Sequence, residues 1–247
     1  MTYRARTLFI VPVLSLLVLS GLFYWNYLSL SKALISGATI HVVYFLIAAI
    51  ILGLFAHPYA RVQQRGPAVF YYKEFQEPYH TAPVGLMSLF NKKEQALLEK
   101  HTTFFGLYWD NPYFLENQNL CRSVLGFLIT KKVRPDVVEL LLKAGLRQVD
   151  FPRWTAVEAS MRTITEVTHA IAPMKLIVPI HDLVCEKYPD RFGPMPLYEV
   201  CDGRYSTYGF VVDESQELFR GLTPFPEPRM NEEGQKYMAK KIKDKSN

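Results

Sequence analysis

Three cysteines and six histidines are the side chains of this 247-residue chain best suited to nucleophilic or metal chemistry. Their spacing supports neither. Cys121, Cys185 and Cys201 stand apart, without C-x-x-C pairing, and the histidines form no H-E-x-x-H or other paired metal spacing. No metal and no cofactor is expected. No nucleophile–base pair is visible either, so the chain is not read as an enzyme. In a cytosolic domain the thiols stay reduced and pack as small apolar residues.

Any site must be positioned behind a long apolar stretch. Residues 7–56 carry one full charge, Lys32, between Arg6 and Arg61. Two apolar segments lie within it, residues 8–30 and about 40–56, joined by a Ser/Gly-bearing turn. A helix rises ~1.5 Å per residue and the hydrocarbon core is ~30 Å thick, so the first segment can span. The second reaches that length if it begins near Ala33 or Leu34. Arg4 and Arg6 precede the first segment and Arg61 and Arg65 follow the second. Basic flanks favour the cytoplasmic side, so residues 1–60 read as a membrane anchor, a transmembrane helical hairpin with both ends cytosolic. In a second reading residues 1–20 are a cleavable signal peptide and the second segment is a single span. Both put the remainder in the cytosol. The lipid bilayer is thus the first expected partner.

About 190 residues remain, enough for one compact domain or two small repeats. The net charge of +5 is mild and gives no argument for nucleic acid. Residues 61–67 read as a juxtamembrane linker, and residues 68–222 as an α+β domain. Its strands are expected at 68–75, 102–109, 120–129 (with a bulge at Gly126), 153–161, 196–201 and 205–213. Apolar residues near a 3.6 period predict helix over 84–101 and 134–145, the latter closed by Gly145. Residues 163–187 are helical in character, but Pro173 and Pro179 are expected to break or kink them. Phe151-Pro152 reads as a turn, and Asp202-Gly203 as a hairpin turn. Residues 223–247 read as a basic, disordered tail.

Gly106-Leu107-Tyr108-Trp109-Asp110-Asn111-Pro112, followed by Cys121-Arg122, resembles a GyrI-like domain. Phe151-Pro152 and Leu197-Tyr198-Glu199-Val200 resemble the start of that family's second repeat and its closing acidic strand. Behind an N-terminal anchor, the layout is similar to the testis-expressed ER-phagy receptor family. The resemblance implies two strand–helix–strand–strand repeats with antiparallel sheets. A groove between them would bind a small cationic or amphipathic ligand, lined at Tyr108, Trp109 and Glu199; a few relatives hydrolyse such ligands.

The resemblance also implies an adaptor at the endoplasmic reticulum membrane, engaged in selective autophagy (reticulophagy) or protein quality control. Such receptors bind autophagy modifier proteins through an aromatic-x-x-aliphatic peptide in a long acidic tail; in this chain 34 residues follow Asp213, and the last seventeen are net basic. Three of its four matches fall in expected strands. The fourth, Phe219 with Leu222, follows the last strand and several acids, and is the candidate contact. At the C-terminus Lys243 and Lys245 have a spacing similar to the coat-recognised retrieval signal of ER membrane proteins, which would add coat proteins as partners. The lysine-rich tail could equally lie on the membrane. Three functions stay open: an ER-surface adaptor, a membrane-tethered small-molecule binding module, and a hydrolase on the same groove.

Overall fold

The computed structural model describes residues 38–39, 42–43, 58–163, 166–191, 196–222 and 225–245. Apart from Val42 and Val43, which are helical, the two apolar segments and the alternative signal peptide lie outside the described residues. Among the described residues no helix is long and apolar enough to cross a membrane.

One eight-stranded antiparallel sheet organises the domain, in the order β1-β6-β8-β7-β3-β4-β2-β5. The strands are β1 (Arg61–Arg65), β2 (Ala68–Gln76), β3 (Thr103–Tyr108), β4 (Arg122–Ile129), β5 (Arg147–Phe151), β6 (Trp154–Arg162), β7 (Leu197–Cys201) and β8 (Tyr205–Val211). The helices are α1 (Ala82–Met87), α2 (Lys92–His101), α3 (Pro135–Lys143), α4 (Glu166–Lys187), α5 (Gln216–Arg220) and α6 (Glu232–Lys245). The two expected repeats are present as β2-α1-α2-β3-β4 and β6-α4-β7-β8. They share one sheet instead of forming separate ones, because β3 and β7 pair where the repeats meet. The sheet is curled.

The expected linker at 61–67 is mostly strand. Arg61 to Arg65 pair with Glu158 to Trp154 on β6. The same register continues from Ala68–Phe151 to Tyr72–Arg147 on β2 and β5. Phe151-Pro152 therefore lies within a long two-stranded ladder where a turn was expected. Gly126 causes no bulge; it pairs in step with Tyr72 and Phe105. A Cβ there would lie 1.9 Å from the Tyr71 carbonyl oxygen, so glycine permits close approach of two backbones.

The helix expected over 84–101 is split. Asn91 accepts from the N–H groups of Lys93 and Glu94, and Glu94 accepts from Asn91 N–H, a capping box that starts α2 afresh. By contrast α4 runs through Pro173 and Pro179 without interruption. Each proline removes a ladder hydrogen bond, but Ala172, Leu176, Ile180 and Val184 form a buried stripe along the helix and hold it to the sheet. Gly145 takes φ +80° at the end of α3, and Gly203 φ +81° in the β7–β8 turn, as expected.

The tail is also structured where described. Asn231 caps α6 by accepting from Gly234 N–H at 2.9 Å, and its side-chain amide donates to the Tyr113 carbonyl at 2.8 Å. The Phe114 and Tyr237 rings lie 5.0 Å apart. These contacts give the basic segment something to fold against, which its composition did not reveal.

Candidate ligand site

Side chains alternate across a strand, so β7 sends Tyr198 and Val200 to one face and Leu197, Glu199 and Cys201 to the other. The first face is the aromatic interior, where Phe105, Phe151, Trp154, Tyr198 and Phe219 are all essentially inaccessible. The second is the helix-covered face. Helix α4 lies on β6 and β8, while α1 and α2 lie on β4 and β3. Glu199 sits on β7 between these two helical layers, half-buried.

Three neutral donors converge on that carboxylate. Tyr108 Oη donates to Glu199 Oε2 at 2.9 Å, and Tyr208 Oη donates to Oε1 at 2.8 Å. Cys201 Sγ donates to Oε1 at 3.3 Å. The register makes this possible, because Tyr208 and Gly106 are the residues directly opposite Glu199 on its two flanking strands. Gly106 leaves the necessary space; a Cβ there would stand 2.8 Å from Tyr108 Oη. Burial first, and the Glu199 charge second, raise the Tyr108 and Tyr208 phenols well above their ordinary value. Cys201 is held up in the same way. All three therefore stay protonated as hydrogen-bond donors near neutral pH. A polar edge continues the site, with Ser206 Oγ 3.4 Å from Cys201 Sγ and 3.2 Å from His169 Nδ1 on α4.

Of the expected groove residues, Tyr108 and Glu199 are brought together. Trp109 is not placed with them: it is half-buried and packs against the cluster that contains Phe105 and Tyr198. The motif around it is structural. The Asp110 carboxylate accepts from Arg122 N–H, Nε and Nη2, with contacts as short as 2.7 Å, and ties the end of β3 to the start of β4. Tyr79 Oη donates to the Asp110 carbonyl at 2.8 Å, and its ring lies edge-on to Tyr108. Tyr208, Cys201 and Gly106 were missed. Their signal is the strand pairing itself, which becomes readable only once Glu199 is set opposite them.

The autophagy-modifier contact is overturned. Phe219 has no exposure and stacks on Phe151 at 4.6 Å, and Leu222 is 8% exposed. A peptide that must add to a partner's sheet needs both side chains free. Here they belong to the core. Lys243 and Lys245 fall within α6.

No family model and no curated protein matches the sequence. Among solved structures the chain is similar to the C-terminal domain of EcmrR, at 12% identity and TM-score 0.36, covering 63% of this chain and 98% of that one. It is similar to SAV2435 bound to tetraphenylphosphonium, at 8% identity and TM-score 0.40, covering 64% and 96%. A putative transcription regulation protein from Staphylococcus aureus gives 9% identity, TM-score 0.36, and coverage of 62% and 97%.

Proposed function

We propose that this domain is a binding module for a small cationic or amphipathic molecule, and that it binds without turnover. The observation that carries the reading is the half-buried Glu199 carboxylate, held by the Tyr108 and Tyr208 hydroxyls between two helical layers. A carboxylate placed there supplies negative potential, and the tyrosine rings supply faces that attract a cation. The polar groups already satisfy one another, so the site resists reorganisation without a ligand. Binding is favoured over hydrolysis because the Cys201 thiol is held protonated and so lacks the thiolate a nucleophile needs. The same proposal keeps the domain on the cytosolic side, as the charges flanking residues 8–56 suggest, at the endoplasmic reticulum membrane that the family resemblance implies. An adaptor role in selective autophagy would need a contact other than Phe219–Leu222, and coat recognition would rest on Lys243 and Lys245.

The test is calorimetric titration of the chain in nanodiscs with tetraphenylphosphonium, against empty nanodiscs. Saturable binding that Glu199→Gln weakens about tenfold or more, or ~1.4 kcal/mol, is expected. Failure to bind, or binding indifferent to Glu199→Gln, would remove the proposal.

A further inference from the structure

One end of the sheet carries an excess of cations together with exposed aromatic rings. The β6–β8 ladder ends with Arg162 opposite Tyr205, and Thr163 N–H donates to the Arg204 carbonyl at 2.8 Å. Arg162 and Arg204 are exposed, and the Tyr205 side chain is 47% exposed. On the neighbouring edge, β1 runs antiparallel to β6 with Arg61 opposite Glu158, so the chain before Arg61 heads toward this same end. It carries Tyr59, 72% exposed. Among the described residues Arg61, Arg162 and Arg204 form no salt bridge. Of the acids described nearby, Glu158 is paired with Arg65. Asp202, whose Oδ1 accepts from the N–H groups of Arg204 and Tyr205 at 2.9 and 2.8 Å, keeps its negative charge, so Arg61, Arg162 and Arg204 still leave this end with an excess of positive charge.

We infer that this end of the sheet rests on the anionic surface of the membrane that holds the chain. The apolar stretch ends at Ala56, and only four residues separate it from β1. A tether that short spans at most ~14 Å fully extended, so the end toward which β1 points is kept at the bilayer. Arginine beside tyrosine suits the headgroup level, and each cation near an anionic leaflet strengthens association about five-fold. Docking would fix the domain's orientation and so the direction from which ligand reaches Glu199. The inference rests on the membrane-anchor reading and is independent of what binds at Glu199.

The full chain would be reconstituted into vesicles of phosphatidylcholine alone, or with added phosphatidylserine, and treated with a water-soluble arylglyoxal. Mass spectrometry then gives a modification rate for each arginine. With phosphatidylserine, modification of Arg162 and Arg204 should slow by up to about 25-fold, the product of two five-fold contributions, and high salt should restore it. Arg153, exposed at the opposite end of β6, should not change. Equal rates in both vesicles, or equal slowing at Arg153, would overturn docking while leaving the anchor intact. A chain that does not float with the vesicles would overturn the anchor and the docking together.

Discussion

Tyr198 and Glu199 are adjacent on β7, yet each completes a tyrosine–carboxylate pair on a different face of the sheet. Tyr198 Oη donates to Glu158 in the aromatic interior, while Glu199 accepts from Tyr108 and Tyr208 on the helix-covered side. Glu158 is further clamped by Arg65, whose Nε and Nη2 donate to its two oxygens at 2.6 and 2.9 Å. The inner pair thus fastens β1 to the sheet. The outer pair builds the candidate site.

The inner pair should be structural. Glu158→Ala leaves the Arg65 charge and the buried Tyr198 hydroxyl without their acceptor, and losing one member of a buried pair costs about 3–5 kcal/mol. The lower figure is expected because a third of the Arg65 side chain reaches solvent. Urea unfolding should show this loss, whereas Tyr198→Phe, which removes one hydrogen bond and no charge partner, should cost only about 1 kcal/mol. Equal costs would mean that the ion pair contributes little.

Two glycines make the two tyrosine–glutamate pairs possible. Gly209 lies directly between Tyr198 and Glu158 in the ladder, and a Cβ there would fall 2.2 Å from Tyr198 Cζ. Gly209→Ala must push the ring off its path, in a core where overpacking costs about 1–3 kcal/mol. Gly106→Ala meets the outer tyrosine at its hydroxyl, so it should weaken ligand binding more than folding. Paired measurements of unfolding midpoint and tetraphenylphosphonium affinity on both variants would separate the two effects.

Strand content was legible because the aromatic and β-branched runs of β2, β3, β4, β6 and β8 are long. The capped helix at residues 135–143 was legible from Pro135 and Gly145. What the sequence hid has physical causes. β1 is a polar run, Arg-Val-Gln-Gln-Arg, and its strand character comes from pairing with β6. β5 is similarly polar and short. Glu199 was identified, but Tyr208 became its partner through register, a long-range property absent from local pattern. The Phe219 motif was misleading because the chain folds both residues inward: Phe219 lies near the end of the short α5, and Leu222 follows its Gly221 cap, and both are buried.

Phe219 offers a direct check on that correction. Its ring lies against Phe105, Phe151 and Trp154. Phe219→Ala should therefore destabilise the domain by about 3–5 kcal/mol, the usual cost of removing a buried phenyl ring. Leu222→Ala should cost less, since Leu222 keeps some exposure. If either variant instead unfolds like the parent chain and loses binding to autophagy modifier proteins, the core assignment fails.

The three cysteines should alkylate in an order set by access and by thiol acidity. Cys185 is exposed on α4, whereas Cys121 is buried and its thiol is pushed up to about 11 by that burial. Cys201 is raised by burial and by Glu199. Iodoacetamide at pH 8 should therefore modify Cys185 first, with Cys201 and Cys121 protected. Glu199→Gln should speed Cys201 alone, because it removes the charge that disfavours the thiolate. Mass spectrometry of timed samples would read all three, and an unchanged Cys201 rate would detach that thiol from Glu199.

Alkaline pH should loosen the domain through its buried phenols. Tyr108, Tyr198 and Tyr208 all have folded values above the ordinary 10.0, raised by burial and by an adjoining carboxylate. The unfolded chain releases these protons near pH 10, while the folded chain retains them. Above that pH the native state therefore binds more protons than the unfolded state, and stability falls as pH rises. Their contribution is fully present below pH 10 and is lost above it, at about 1.4 kcal/mol per pH unit for each group still protonated in the fold. Urea unfolding between pH 9 and pH 11 would measure the slope. Tyr108→Phe should lower stability modestly at pH 9, through one lost hydrogen bond to Glu199, yet make the alkaline slope shallower by one proton. A slope unchanged in Tyr108→Phe would mean that this hydroxyl ionises as readily in the fold as outside it, and the donor role assigned to it in the site would fall.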